Sequence, residues 1–374
     1  MRLTIEREYF LKALTNSGHA IAPKNPIPVL SSFKLDLNER GLEVTGSNSE
    51  ITVRSFVPYS KNGKTIISNA VPGSILIEAN ILTNLIRGLG GTTINLDIID
   101  NAIANISDGH TSIKLTNCAR AEEYSDIDLE PNGIELELPA EDLIELVSQT
   151  AYAASTKEQR PVMTAINLRA QDGVLKATTT DSARLARKAI NIDSDVRFST
   201  NIPAKSMVDV SKMIEGCDKV QMFVSSNKAL FLFDGNVVSA RLIPGDYVVS
   251  ESAIPYAFNY QLQVNSNELL EAMSRISILS MDRESVVKLS MSEENVEVSV
   301  KSDRNGSGNE PILTFQYEGE PLSISFNSRF VIEAIRVLKA EDVVICFQAE
   351  RRPFVVKSPK DESAIELITP MRNY

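Results

Sequence analysis

The sequence predicts an α+β protein made of three tandem copies of one domain, and two observations carry that prediction. Short segments of alternating apolar residues recur at residues 3–5, 136–138 and 262–264. Alternation has the two-residue period of a β-strand. Each segment is followed by apolar residues spaced three and four apart, which form one face of a short amphipathic helix. A strand-then-helix pattern that returns along the chain indicates an internal repeat.

Each repeat contains a second strand-then-helix pattern, at residues 75–77, 200–202 and 323–326. These three patterns align through one apolar pair each, which is Ile77 with Leu82, Ile202 with Met207 and Phe326 with Val331. The chain is therefore predicted to hold six helices, two in each repeat. Their predicted bounds are 6–16, 78–88, 139–150, 203–214, 265–276 and 327–339.

The segments between these patterns read as strands joined by turns. Residues 33–37, 41–45, 173–178 and 295–300 alternate apolar and polar side chains, which favours antiparallel sheets with one buried face. We therefore expect each domain to pack two helices on antiparallel sheets. The expected domains are residues 1–128, 129–252 and 253–374. Periodicity alone leaves open whether the three domains form a row or a closed arc.

Composition excludes several classes of function. The chain has 374 residues and a net charge of −11, so it cannot hold nucleic acid through a broad basic surface. No apolar run reaches the roughly 18 residues of a membrane span, and the charged start lacks the apolar segment of a signal peptide, so we expect a cytoplasmic protein. Three distant cysteines and two histidines predict no metal site and no histidine-dependent catalytic triad.

Several segments, in their order along the threefold repeat, carry a resemblance. They are residues 3–8, 26–30, 179–181 followed by Arg184 and Leu185, 201–205 and 369–372. Through them the whole chain resembles the bacterial DNA polymerase III beta subunit, the family of replication sliding clamps. The resemblance implies three domains of the DNA-clamp fold that form half of a ring, and a head-to-tail homodimer that encircles duplex DNA without reading its sequence. Such a ring needs only weak contacts with DNA, which suits an acidic chain.

The resemblance also implies a non-catalytic subunit without a cofactor, the processivity factor that tethers the replicative polymerase, the clamp loader and repair proteins through short linear peptides. An apolar pocket would receive those peptides, because methionine, leucine and proline side chains can accept an apolar anchor. The implied pocket residues are Met163, Thr180, Ser182, Arg184, Leu185, Val248, Leu367, Pro370 and Met371. The chain departs from the commoner family pattern at Ser182, Ala183, Val248 and Ser252, which leaves the preferred peptide open.

Contacts with DNA and with a second copy are implied in the same way. The implied DNA-contacting residues are Lys24, Lys157, Arg160 and Lys205. The implied dimer contacts are Ile113, Leu115, Ile278 and Leu279. Summed over the three repeats, the predicted first helices carry a net charge of −4 and the predicted second helices a net charge of +3. A uniformly basic lining is therefore not expected, and the direction of each side chain must sort the charges.

Two rival interpretations remain. A scaffold of tandem binding domains without a ring would share the repeat but stay monomeric. A hydrolase could use Asp181 with Glu158, although aspartate is also common in turns. The segment 63–65 is not a phosphate-binding loop, because Pro58 stands where such a loop requires its first glycine.

Overall fold

The six predicted helices are confirmed to within two residues at each end. The computed structural model describes residues 1–22, 24–100, 102–125, 127–248, 254–280, 285–302 and 304–371. Within these ranges the helices are α1 (Arg7–Gly18), α2 (Ala79–Gly88), α3 (Ala140–Thr150), α4 (Ala204–Met213), α5 (Ser266–Ser277) and α6 (Ser328–Leu338). None of them is long and apolar enough to cross a membrane.

The strands occupy the segments between the helices. The first repeat contains β1 (Arg2–Glu6), β2 (Ser32–Leu37), β3 (Gly41–Ser47), β4 (Ile51–Pro58), β5 (Ser60–Lys61), β6 (Lys64–Thr65), β7 (Ile67–Val71), β8 (Gly73–Glu78), β9 (Thr93–Ile99), β10 (Ile103–Ser107) and β11 (Ser112–Leu115). The second contains β12 (Ile134–Pro139), β13 (Ala165–Gln171), β14 (Val174–Thr180), β15 (Arg184–Asn191), β16 (Phe198–Pro203), β17 (Lys219–Val224), β18 (Lys228–Phe233) and β19 (Asn236–Arg241). The third contains β20 (Tyr260–Asn265), β21 (Val286–Met291), β22 (Val296–Ser302), β23 (Gly306–Ile312), β24 (Phe315–Glu318), β25 (Leu322–Asn327), β26 (Asp342–Phe347), β27 (Phe354–Lys357) and β28 (Ala364–Ile368).

Each repeat builds two antiparallel groups of strands. The first group follows the order β1-β9-β10-β11, and its counterparts are β12-β17-β18-β19 and β20-β26-β27-β28. The second group follows the order β8-β2-β3-β4, and its counterparts are β16-β13-β14-β15 and β25-β21-β22-β23. β1 and β20 each gain one more partner, β7 and β24 respectively. The fold therefore repeats its strand order as well as its helices.

The chain forms two compact units, residues 1–141 with 209–242, and residues 142–208 with 243–374. In the first unit, β4 pairs with β19 and joins two groups into one eight-stranded sheet. In the second unit, β15 pairs with β28 and joins two groups into a nine-stranded sheet. The second group of one repeat thus continues into the first group of the next.

The helices cover the apolar faces of the sheets. In the first unit, Phe10 and Leu14 of α1 and Leu82 and Ile86 of α2 are fully buried in the core. In the second unit, α5 and α6 bury their apolar faces in the same way. An asparagine caps the N-terminus of α5 and another caps that of α6. Each side chain accepts a hydrogen bond from a first-turn amide that would otherwise be unpaired.

Candidate peptide-binding site and charged helices

The predicted pocket residues gather around the strand pair β15–β28. Leu185 lies directly opposite Leu367, and Leu367 lies opposite Val355 of β27. With Ile254 these side chains form a small apolar cluster of buried residues, separate from the main core of the third repeat. Leu185 and Leu367 remain 3% and 8% exposed. Three adjacent strands therefore form one buried apolar floor.

The turn that leads into β15 is fixed by local hydrogen bonds. One carboxylate oxygen of Asp181 accepts hydrogen bonds from the backbone amides of Ala183 (2.9 Å) and Arg184 (3.1 Å). The hydroxyl of Thr180 donates to the carbonyl of Arg184 at 2.6 Å. Ser182 takes a φ of 80°, in the left-handed region. Asp181 is therefore a turn residue that orients Leu185. This role in the turn explains the presence of the aspartate without the hydrolase interpretation.

Met163 and Val248 approach the site from two other segments. Met163 is buried, and its sulfur accepts a hydrogen bond from the Ser182 hydroxyl at 3.4 Å. Val248 is 53% exposed and follows Tyr247, whose hydroxyl accepts a hydrogen bond from the Thr180 amide at 3.0 Å. Burial raises the pKa of Tyr247 to about 12, so its hydroxyl stays neutral. Ser182 and Val248 thus lie at the rim, while Met163 supports it.

The chain beyond β28 is held beside the same turn. The amide of Thr369 donates to the carbonyl of Ala183 at 2.9 Å, and the amide of Met371 donates to the carbonyl of Ser325 at 2.7 Å. Pro370 and Met371 are half-buried. Ser252, the fourth departure from the family pattern, lies outside the described residues.

Arg184 differs from the other predicted pocket residues, because its side chain points to the opposite, helix-covered face of the sheet. Its guanidinium lies over the rings of Tyr152 and Phe330, at 5.0 and 4.6 Å from the ring centroids. It also pairs with Asp181 and with Glu333 of α6. Neighbouring residues of a strand face opposite sides, so Leu185 can face the apolar cluster while Arg184 braces the sheet from behind.

Glu366, next to Leu367, was not singled out by sequence reasoning. It is fully buried and accepts a hydrogen bond from the Tyr152 hydroxyl at 2.6 Å, while its other carboxylate oxygen has no hydrogen-bond partner. Burial raises the pKa of Glu366 well above its usual value, and the hydrogen bond from Tyr152 and the charge of Arg184 oppose that rise only in part. The available signal was a single glutamate inside the apolar run 364–368.

The raised pKa of Glu366 predicts a pH-dependent stability. The folded state keeps a proton that the unfolded state releases, so the free energy of unfolding falls as pH rises from the unfolded pKa towards the folded one. Glu366→Gln removes this loss, and its stability relative to the natural chain is expected to increase across that window in urea titrations. Glu362→Gln, at a side chain 89% exposed, is the control and should leave the pH profile unchanged. Parallel profiles for the natural chain and Glu366→Gln would contradict the assignment.

The structure sorts the helix charges that the sequence could only sum. The cations of the first helices are engaged: Lys12 pairs with Asp234 at 3.2 Å, Arg275 pairs with Glu310 at 2.6 Å, and Arg7 donates to the last carbonyls of α2. The second helices each end on an exposed cation at the same repeat position. These cations are Arg87, Lys212 and Arg336, and none has an ion-pair partner among the described residues.

The four loop and helix cations implied by the resemblance are also exposed. Lys24 follows α1, Lys157 and Arg160 lie between α3 and β13, and Lys205 lies in the first turn of α4. Lys24 lies in the first compact unit, and the other three lie in the second.

Comparison with known proteins decides the family. Models of the N-terminal, central and C-terminal domains of the DNA polymerase III beta subunit match residues 1–128, 137–248 and 251–372. The chain belongs to the DNA polymerase III beta subunit family. It is 31% identical to the beta sliding clamp of Bacillus subtilis, over the full length of both chains. Solved beta-subunit structures from Bacillus subtilis and Streptococcus pneumoniae each superpose with a TM-score of 0.95 at 30% and 32% identity, and both chains are covered completely.

Membership in the beta subunit family confirms the predicted fold class and rules against the rival interpretations. A beta sliding clamp is a processivity factor and not a catalytic subunit, so the hydrolase interpretation is wrong. A scaffold of tandem domains without a ring is not what this family comprises.

Among the described residues, the first strand group of the first repeat and the second strand group of the third repeat continue into no other group of this chain. In the described residues, β11 has only β10 as a neighbour, and β23 has only β22. The predicted dimer residues lie at these two edges. Ile113 and Leu115 belong to β11 and are half-buried, while Ile278 and Leu279 follow α5 beside β23, and Ile278 is 59% exposed.

Proposed function

We propose that two copies of this chain close head to tail into a ring around duplex DNA, and that the ring tethers the replicative polymerase and the clamp loader through peptides seated on the Leu185–Leu367 cluster. The observation that carries the proposal is the way each repeat continues into the next. β4 pairs with β19, and β15 pairs with β28. In both cases the last strand of a second group joins the last strand of a first group.

The same rule leaves one unused pair, β23 and β11. β23 ends the second group of the third repeat, and β11 ends the first group of the first repeat. Pairing β23 of each copy with β11 of the other satisfies both edges, and the two identical head-to-tail contacts close the dimer into a ring. Closure also protects strand edges that would otherwise invite uncontrolled association. Ile113, Leu115, Ile278 and Leu279 then lie where the two chains meet.

The domain limits and the location of the protein are part of the same proposal. We place the domains at residues 1–128, 129–252 and 253–374; the second limit falls on residues outside the described ranges. A replication clamp works on the chromosome, so a cytoplasmic protein is expected, as the sequence predicted.

DNA contacts are expected from the exposed cations of the second helices. Arg87, Lys212 and Arg336 occupy one repeat position, so a dimer presents six copies of a similar charge. Unpaired cations release counterions from phosphates regardless of sequence, which gives weak contacts that permit sliding. Lys24, Lys157, Arg160 and Lys205 add further charge to the same role.

Reversing the charge of all three repeated cations in one variant tests their role in DNA binding. Arg87→Glu, Lys212→Glu and Arg336→Glu in one chain should weaken salt-dependent binding to short duplex DNA by at least about tenfold, because three phosphate contacts are lost in each copy. Fluorescence anisotropy at several salt concentrations measures both the affinity and its salt slope.

The matched control reverses the charge of three exposed cations outside the helices, by glutamate substitution of Lys301, Arg351 and Lys360. This control has the same net charge as the test variant and should keep a salt slope close to that of the natural chain. Equal losses in the two variants would mean that net charge alone decides binding, and the assignment of DNA contacts to the second helices would then be wrong.

A further inference from the structure

A second groove lies on the eight-stranded sheet, where β4 meets β19. Its volume is about 430 Å³, within the range of pockets that bind small ligands or short peptides. Phe56 of β4, Leu232 of β18 and Val237 of β19 line it, and all three side chains are only partly buried. Arg40 and Arg54 lie at its border.

This groove is not a second copy of the Leu185–Leu367 site. The turn before β4 repeats the turn before β15: Asn48 accepts hydrogen bonds from two following amides as Asp181 does, and Ser49 has a φ of 77° as Ser182 has 80°. In that alignment Thr52 stands where Leu185 does.

The cross-strand partner of Thr52 is Ser239, which stands where Leu367 does. The apolar floor of the first site is therefore polar here. Where β4 pairs with β19, the apolar surface begins two residues further along, at Val237, whose cross-strand partner is Arg54.

Two arginines and two carboxylates line the groove, and two lysines outside the lining pair with one of those carboxylates. Glu43 pairs with Arg40 at 3.0 Å and with Arg54 at 3.7 Å. Asp234, also at the groove, pairs with Lys12 at 3.2 Å and with Lys61 at 3.3 Å. Four cations thus share two carboxylates, in a chain whose net charge is −11. Both arginines keep solvent access, with 76% and 30% of their side chains exposed.

We propose that this groove binds a short acidic segment of a partner protein that carries one leucine or phenylalanine anchor. The anchor packs on Phe56, Leu232 and Val237, while acidic neighbours of the anchor pair with Arg40 and Arg54. Guanidinium groups suit this role because they hold carboxylates through two parallel hydrogen bonds. The groove lies within one chain, so the inference does not depend on ring closure.

The probe is a fluorescein-labelled hexapeptide, Glu-Asp-Leu-Phe-Asp-Glu, titrated with the full chain. The natural chain and Leu185→Asp should bind it alike, because Leu185→Asp disables only the other site. Arg54→Glu should weaken binding by at least about tenfold, since it replaces a charge-assisted hydrogen bond with repulsion. Glu43→Gln should strengthen binding, because it frees both arginines from their internal partner.

Loss of binding in Leu185→Asp would mean that the probe uses the Leu185–Leu367 site, and would overturn the proposal. So would an undetectable interaction with the natural chain, or equal affinities for the natural chain, Arg54→Glu and Glu43→Gln. Thermal unfolding of each variant confirms that it is folded, and Glu43→Gln keeps the test valid if Arg54→Glu fails to fold, since its gain of affinity cannot arise from misfolding.

Discussion

Replacing Leu185 with aspartate is expected to abolish binding of partner peptides while the dimer persists. The substitution puts a charge into the apolar floor shared with Leu367 and Val355, where no cation faces it from the cluster. Truncating a central apolar contact of an interface costs about 2–4 kcal/mol, roughly 30- to 1,000-fold in affinity, and a charge at that place costs more. Titration with a peptide from the replicative polymerase's own clamp-binding segment measures the loss.

The matched control is Thr52→Asp, at the same position of the first repeat. Thr52 is 5% exposed and Leu185 is 3% exposed, so both substitutions bury an aspartate in equivalent strands. Both should lower the melting temperature, but only Leu185→Asp should lose the peptide. Peptide affinity that survives in Leu185→Asp, or that falls equally in Thr52→Asp, would contradict the placement of the site.

The sequence predicted the helices well because their apolar spacing is local and is repeated three times. Each of the six begins within one residue of its predicted start, since a strand residue and a capping position precede the apolar face. The class of the strands was also predictable from alternation. Their partners were not, because the pairing of β4 with β19 or of β15 with β28 joins residues more than 150 positions apart.

The candidate site was predictable as a set of residues, but only through resemblance, and the direction of its side chains was not. Arg184 and Leu185 are adjacent in sequence, yet one braces the helix-covered face and the other lines the apolar floor. Charge sums likewise could not separate Lys12, which Asp234 neutralises, from Arg87, which has no ion-pair partner in the part of the chain that the structure describes. Glu366 escaped notice because its burial is set by both flanking strands.

Ring closure is expected to depend on the two unused strand edges. Ile278→Asp with Leu279→Asp places two charges beside β23, where β11 of the second copy must dock. Burying unpaired charges at a subunit contact costs several kcal/mol, so the variant should be a monomer at micromolar concentration. Ile81→Asp, at an apolar side chain 50% exposed on α2, is the control and should remain a dimer by light scattering.

Retention on DNA tests the central claim most directly. Free in solution, the natural chain should be a particle of twice the 41.1 kDa chain mass; after loading by a clamp loader onto nicked circular DNA, it should elute with the circle and should be lost once the circle is linearised. The monomeric variant should not be retained on either form. Retention of the natural chain on linear DNA as on the circle, or loading of the monomeric variant, would show that affinity and not enclosure holds the protein on DNA.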